Sequence, residues 1–312
     1  MSKNIKTSIC ERIVEDLFVE VDGKSVHYQR AGTGRPLLLI HGLVGSALNW
    51  RENIDVLSEC ATVYAIDLLN MGQSDRIPDL DAGLEATADS IAAWMQAVGL
   101  KQMDIVGHSH GGAVAMMLAA RHPERVGKLI LFAPANPFCD LGRTLIAFYN
   151  TRPGVFVANL IPWLPSVVKS TALRRMYGDP TRVKPQALEG YTAGLSKPGS
   201  VQHVLQIVRR WHEDMASLRS VLANLADHPT LLIWGDRDRA VGLSSAERLR
   251  EILPHAELIV IPGAGHIAFE EMPEVCNQIV SDWLATQQTP EPRPGAFQMR
   301  YPSEPLHQLR AV

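Results

Sequence analysis

Apolar residues along this chain keep two alternating rhythms. Residues 37–40, 63–66, 126–132, 230–234 and 258–261 are short, nearly unbroken apolar runs, the length and character of strands buried on both faces. Between such runs, Leu84, Ala88, Ile91, Met95 and Val98 recur at helical spacing, as do Met272, Val275, Cys276, Ile279 and Trp283. Pro273 stands near the first turn of the latter helix, where its missing N–H costs little. Residues 48–57 also predict a helix, and residues 17–21 and 25–30 flank Asp22-Gly23 as the two strands of a hairpin. Strands alternating with helices predict an α/β domain with a mostly parallel sheet covered on both faces. No internal repeat is visible.

The alternation stops between Ala135 and about Glu213, where aromatics and prolines become frequent. Within it, residues 154–168 carry no charge. That run is too short for a membrane span, which needs about 20 residues, and Pro162 and Pro165 break it. It predicts a lid or pocket wall. Contact with a lipid interface is the lesser reading, because no basic polar face accompanies the run. Residues 288–312 hold five prolines and few aliphatics, which predicts a mobile tail without a catalytic part.

Composition narrows the class. The chain has 312 residues, 46% hydrophobic and 20% charged, with net charge −3. These values predict a soluble protein with a full core, one main domain plus an insertion, and no nucleic-acid partner. Cys10, Cys60, Cys139 and Cys276 lack metal-ligand or C-x-x-C spacing and are expected to be reduced structural thiols. Residues 1–20 are interrupted by charges and show no apolar signal core, so a cytoplasmic location is the default expectation.

Candidate chemistry centres on Gly107-His108-Ser109-His110-Gly111, followed by Gly112. An apolar stretch precedes it and an alanine- and methionine-rich stretch follows. Strand, tight turn and helix with a serine at the tip are the context in which G-x-S-x-G forms a nucleophile elbow. A serine hydroxyl needs a base within reach, and the base needs an orienting acid. Both occur downstream on loops that leave strand ends: Asp236 and Asp238 after the run at 230–234, and His266 in Gly263-Ala264-Gly265-His266 after the run at 258–261. Ser109 would attack an acyl carbonyl, and His266 would shuttle the proton. The backbone N–H of His110 would face the resulting oxyanion. A zinc reading of His41, His108 and His110 lacks both helical H-x-x-x-H spacing and a carboxylate partner.

With His41-Gly42 after the first parallel strand, the segment from Asp67 to Asp75, the elbow, the W-G-x-x-D segment ending in Asp238, and G-x-G-H, the chain resembles the α/β-hydrolase fold superfamily over residues 17–284. The resemblance implies an eight-stranded, mostly parallel sheet with helices on both faces. It divides the chain into a core at 1–134 and 214–287, a helical cap at 135–213 and the tail at 288–312. It places the acid three residues past Gly235, which selects Asp238, and the second oxyanion donor at the Leu43 N–H. It implies a serine hydrolase that cleaves carboxylic esters of small to medium, mainly apolar acyl groups through an acyl-enzyme. Alternatives are C–C bond or thioester hydrolysis with the same residues, or a non-catalytic relative that binds a small ligand. The loop His41-Gly42-Leu43-Val44-Gly45-Ser46 departs from the H-G-x-G-P-G pattern that C–C hydrolases tend to carry. No cofactor and no metal are expected. The expected partner is a small-molecule ester, with no membrane span, and a homodimer is compatible with the sequence.

Overall fold

The computed structural model describes residues 13–139 and 143–286. The tail at 288–312 and Cys10 lie outside the described residues. Strands β1 (Glu15–Val21) and β2 (Lys24–Ala31) form the expected hairpin. Asp22 and Gly23 both have positive φ, as a two-residue turn matched to strand twist requires. The chain continues through β3 (Pro36–Ile40), α1 (Ile54–Leu57), β4 (Thr62–Ile66), α2 (Leu84–Ala97), β5 (Met103–His108), α3 (His110–Arg121) and β6 (Val126–Phe132). A wholly helical stretch follows, with α4 (Arg143–Tyr149), α5 (Arg152–Leu160), α6 (Ser166–Arg174), α7 (Ala187–Thr192) and α8 (Ser200–Val221). The α8 helix runs through position 213 without a break. The sheet resumes with β7 (Thr230–Gly235), α9 (Ser244–Ile252), β8 (Glu257–Ile261), α10 (Ala268–Glu271) and α11 (Pro273–Ala285).

The eight strands lie in the order β1-β2-β4-β3-β5-β6-β7-β8. Pairings β1/β2 and β2/β4 are antiparallel, and the others are parallel. Strand side chains alternate between two cores. Leu38, Ile40, Leu232 and Trp234 pack on one face with α2, α3, α8 and α9, while Leu37, Leu39, Leu231 and Ile233 pack on the other with Trp50, Phe269 and α11. Burial on both faces is why these strands read as continuous apolar runs.

One expectation is corrected. Residues 48–57 do not form a single helix but a 3₁₀ turn at Ala47–Trp50 and the short α1. Their asparagines explain the break. Asn49 donates to Glu270 Oε1 at 3.1 Å, and Asn53 donates to the Phe269 carbonyl at 3.1 Å and to Asn277 at 2.8 Å. Amides committed to tertiary bonds compete with helix continuation.

Order reversal at β4-β3-β5 makes β3 and β5 a topological switch point. Loops leaving their carboxyl ends diverge in opposite directions and open a crevice.

Candidate active site

Ser109 sits in that crevice, between β5 and α3, with φ 51° and ψ −119°. This backbone region is one that L-residues avoid, and it costs about 1–3 kcal/mol. Crowding around the turn holds it there. A Cβ on Gly107 would lie 2.7 Å from the Gly111 carbonyl oxygen, and one on Gly111 would lie 2.2 Å from the His41 carbonyl oxygen. Gly107 therefore admits the start of α3, whereas Gly111 admits the end of β3. The Ser109 carbonyl accepts the N–H groups of Gly112, Ala113 and Ala135, which ties the turn to α3 and to the loop after β6.

The loop after β3 runs beside this serine. A Cβ on Gly42 would fall 3.2 Å from the Ser109 Cβ and 2.8 Å from His108 Nδ1. His41 Nδ1 donates to the Gly42 carbonyl at 2.8 Å, and Nε2 accepts the Leu68 N–H at 3.2 Å. A ring that accepts at Nε2 must be neutral, and burial lowers the His41 pKa in the same sense. Asp67 anchors the loop's far end, accepting Ala47 N–H at 2.6 Å, Gln73 N–H at 2.7 Å and His27 Nδ1–H at 2.7 Å. The N–H groups of Leu43 and His110 have no acceptor among the described residues. His110 begins α3, whose first N–H groups and dipole favour negative charge at this end.

The loops after β7 and β8 bring Asp238 and His266 together. His266 Nδ1 donates to Asp238 Oδ2 at 2.8 Å, and the carboxylate is fully buried. Asp238 Oδ1 accepts the N–H groups of Ala240 at 2.7 Å and Val241 at 2.9 Å. An ionised carboxylate only accepts, so His266 carries a proton on Nδ1, and in the neutral ring this leaves Nε2 as the acceptor. Asp236 is engaged elsewhere, accepting the Gly263 N–H at 2.7 Å within the adjoining turns.

Ser109 and His266 line one cavity of about 460 Å³, together with Leu43, Ile146, Leu173 and Trp211. Most of the wall is aliphatic or aromatic and comes from α4 to α8. Lys169 is its only Lys, Arg, Asp or Glu among the described residues. No hydrogen bond joins Ser109 Oγ to His266 in this conformation, and such contacts commonly tighten only with substrate bound.

Three side chains make supporting bonds that no local spacing encodes, although the place of His108 beneath the turn follows from its position beside Ser109. His108 Nε2 donates to the His266 carbonyl at 3.1 Å, and its ring lies 4.8 Å from the His266 ring. Glu271 accepts the N–H groups of Gly265 at 2.7 Å, Gly178 at 2.9 Å and Asp179 at 2.8 Å. Glu270 is buried against Arg51 Nη2 at 2.8 Å and the Tyr191 hydroxyl at 2.6 Å, and burial pushes its pKa up despite Arg51. The only signal was a pair of acids between Phe269 and Met272, close behind His266. The His110 side chain does not line the cavity of Ser109. It borders a second one of about 270 Å³ together with His203.

Among the described residues no cluster of three His, Cys, Asp or Glu side chains could hold a metal. No helix there is long and apolar enough to cross a membrane.

The sequence profile of the alpha/beta hydrolase fold matches residues 35–273. The 2-hydroxymuconate semialdehyde hydrolase of Pseudomonas sp. is 28% identical over 262 residues, covering 82% of this chain and 88% of the relative. The 2-hydroxy-6-oxo-2,4-heptadienoate hydrolase of Pseudomonas putida is 27% identical, covering 85% and 94%. Among solved structures, the meta-cleavage product hydrolase of Pseudomonas fluorescens, as a serine-to-alanine mutant complexed with acetates, superposes with a TM-score of 0.73. It is 27% identical, and the match covers 86% of this chain and 97% of that one.

Proposed function

This chain belongs to the alpha/beta hydrolase fold family, and on that premise we propose that it is a serine hydrolase acting through Ser109, His266 and Asp238. Ser109 Oγ attacks a substrate carbonyl while His266 Nε2 takes its proton. Asp238 holds the imidazole in the required tautomer and stabilises the imidazolium. The oxyanion is received by the N–H groups of Leu43 and His110. Collapse of the tetrahedral intermediate breaks the bond to the leaving group, which collects the proton from His266. Water then repeats the sequence on the acyl-enzyme and releases the acid. The helices between β6 and β7 act as a cap that covers the serine and shapes the acyl pocket.

The observation that carries this reading is the buried 2.8 Å bond between His266 and Asp238 at the wall of the cavity that Ser109 also lines. The apolar wall supports carboxylic esters with small to medium uncharged acyl groups. C–C bond hydrolysis is the second reading, favoured by two relatives whose names specify that substrate class. A substrate carboxylate would find one cation in the wall, Lys169, and its Nζ already donates to the Pro162 carbonyl at 3.1 Å.

Labelling by a fluorophosphonate probe, with the modified peptide mapped, tests the chemistry. Modification of Ser109 that disappears in His266→Ala supports the reading, and no modification of Ser109 overturns it in favour of a ligand-binding relative. Rates on p-nitrophenyl esters of increasing acyl length, set against a 2-hydroxy-6-oxo-dienoate, separate the two substrate classes. Lys169→Met should depress only turnover of the dienoate.

A further inference from the structure

We propose that the outer face of α5, α6 and the turn between them docks this protein onto an anionic lipid surface. The inner side of this segment belongs to the substrate cavity, where Ala158, Ile161, Ala172 and Leu173 contribute to the wall. An ordinary lid would be polar outside. Here Phe156 is 65%, Trp163 77% and Val167 75% exposed, and Val157, Leu160 and Val168 are exposed around them. Exposed apolar side chains of this size, concentrated within thirteen residues, mark interaction sites.

Charge selects the occupant. Between Asp140 and Asp179 the chain has no acidic residue but carries Arg143, Arg152, Lys169, Arg174 and Arg175, although its overall charge is −3. Helical geometry puts three of these cations on the exposed apolar stripes. Arg152, Phe156 and Leu160 follow one another at four-residue spacing along α5. Arg174 and Arg175 come seven residues after Val167 and Val168, on the same face of α6 and about 10 Å further along it. Arg152, Arg174 and Arg175 are exposed and have no carboxylate partner among the described residues. The charge-free run lacks a basic face of its own, and the fold supplies one from both flanks. Exposed aromatic and aliphatic side chains bordered by unpaired cations match a bilayer interface with anionic headgroups. A second copy of the chain would set these cations against their own equivalents, which disfavours self-association here.

Docking does not depend on the chemistry at Ser109, so it is tested with Ser109→Ala protein, full length, and failure of the hydrolase reading leaves the result interpretable. Of the six tryptophans only Trp163 is exposed, so it reports insertion. Vesicles of phosphatidylcholine, with and without phosphatidylglycerol, are mixed with protein and floated. The expected result is co-flotation with the phosphatidylglycerol vesicles and a blue shift of tryptophan emission, both weakened by salt. Trp163→Ser should abolish the shift. Arg174→Gln with Arg175→Gln should lower partitioning about twenty-five-fold, at about fivefold per cation. Absence of co-flotation overturns the proposal, as does equal partitioning onto neutral vesicles. A lipid-free dimer in sedimentation velocity that blue-shifts Trp163 also overturns it and assigns the face to a second copy.

Discussion

Glu271 accepts the Gly265 N–H at 2.7 Å, one residue before His266, and with the same carboxylate holds the N–H groups of Gly178 and Asp179. The loop that carries the imidazole is thereby clamped to the stretch between α6 and α7. The His266 N–H donates to the Met176 carbonyl at 2.7 Å and closes the same junction. Glu271→Gln replaces one acceptor oxygen with a donor facing backbone N–H groups. The expected outcome is a loss of about 1–3 kcal/mol in stability by denaturant unfolding. A fall in kcat of up to about a hundredfold should accompany it if the imidazole shifts by an ångström. Unchanged kcat in a destabilised protein would assign Glu271 to folding alone.

The two candidate acids separate by mutation. Asp238→Asn disrupts the bond that sets the His266 tautomer, and kcat should fall by about 10⁴. Asp236→Asn alters an acceptor for Gly263 N–H in an exposed turn and should leave kcat within about tenfold. Steady-state rates on one p-nitrophenyl ester decide, and a larger loss at Asp236 would reverse the assignment.

Strain at Ser109 gives a stability prediction with the opposite sign to its effect on activity. Ser109→Gly and Ser109→Ala should both abolish turnover. Glycine tolerates φ 51° and ψ −119°, whereas alanine does not, so the glycine variant should be the more stable by about 1 kcal/mol. Equal melting temperatures would mean that the turn is unstrained.

Gly42→Ala probes the loop proposed to receive the oxyanion. Its Cβ would lie 2.8 Å from His108 Nδ1 and 3.2 Å from the Ser109 Cβ, so the loop must move away from the serine. Removing one oxyanion donor costs about a hundred- to a thousand-fold in kcat, which sets the expected loss. Circular dichroism should report an intact fold, and full activity would exclude the Leu43 N–H as a donor.

Four buried histidines predict acid lability. Burial depresses the pKa of His41, sends His108 well below the usual 6.5, and brings His110 to about 3 and His203 to about 4. Each binds a proton more readily in the unfolded chain than in the native one. Their contribution to stability is therefore fully present above pH 6.5 and is lost progressively as pH falls toward 4 and 3. His27 acts in the opposite sense. Burial lowers it, but Asp67 and Asp16 more than offset that, so its contribution fades as pH rises through its folded pKa. Melting temperature should drop between pH 6.5 and 4 in wild type and less steeply in His203→Gln. Parallel curves would remove His203 from the account.

The strands, the hairpin at Asp22-Gly23 and the elbow were legible in the sequence because each is encoded by neighbours in the chain. Unbroken apolar runs report burial on both faces, and glycine on either side of a serine reports a turn that no Cβ can enter. Residues 48–57 misled because Asn49 and Asn53 keep their bonding commitments with partners over 200 residues away, Glu270 and Asn277. The choice between Asp236 and Asp238, two residues apart on one loop, rested in sequence on family resemblance, and only the β7–β8 packing brings one of them against His266. The clamps at Glu271 and His108, and the joining of Arg174 and Arg175 to an apolar face, likewise depend on loops converging from separate elements. Local pattern determines which segments are buried and where the chain must turn. Contacts between distant segments depend on how those segments pack, and no spacing along the chain records that.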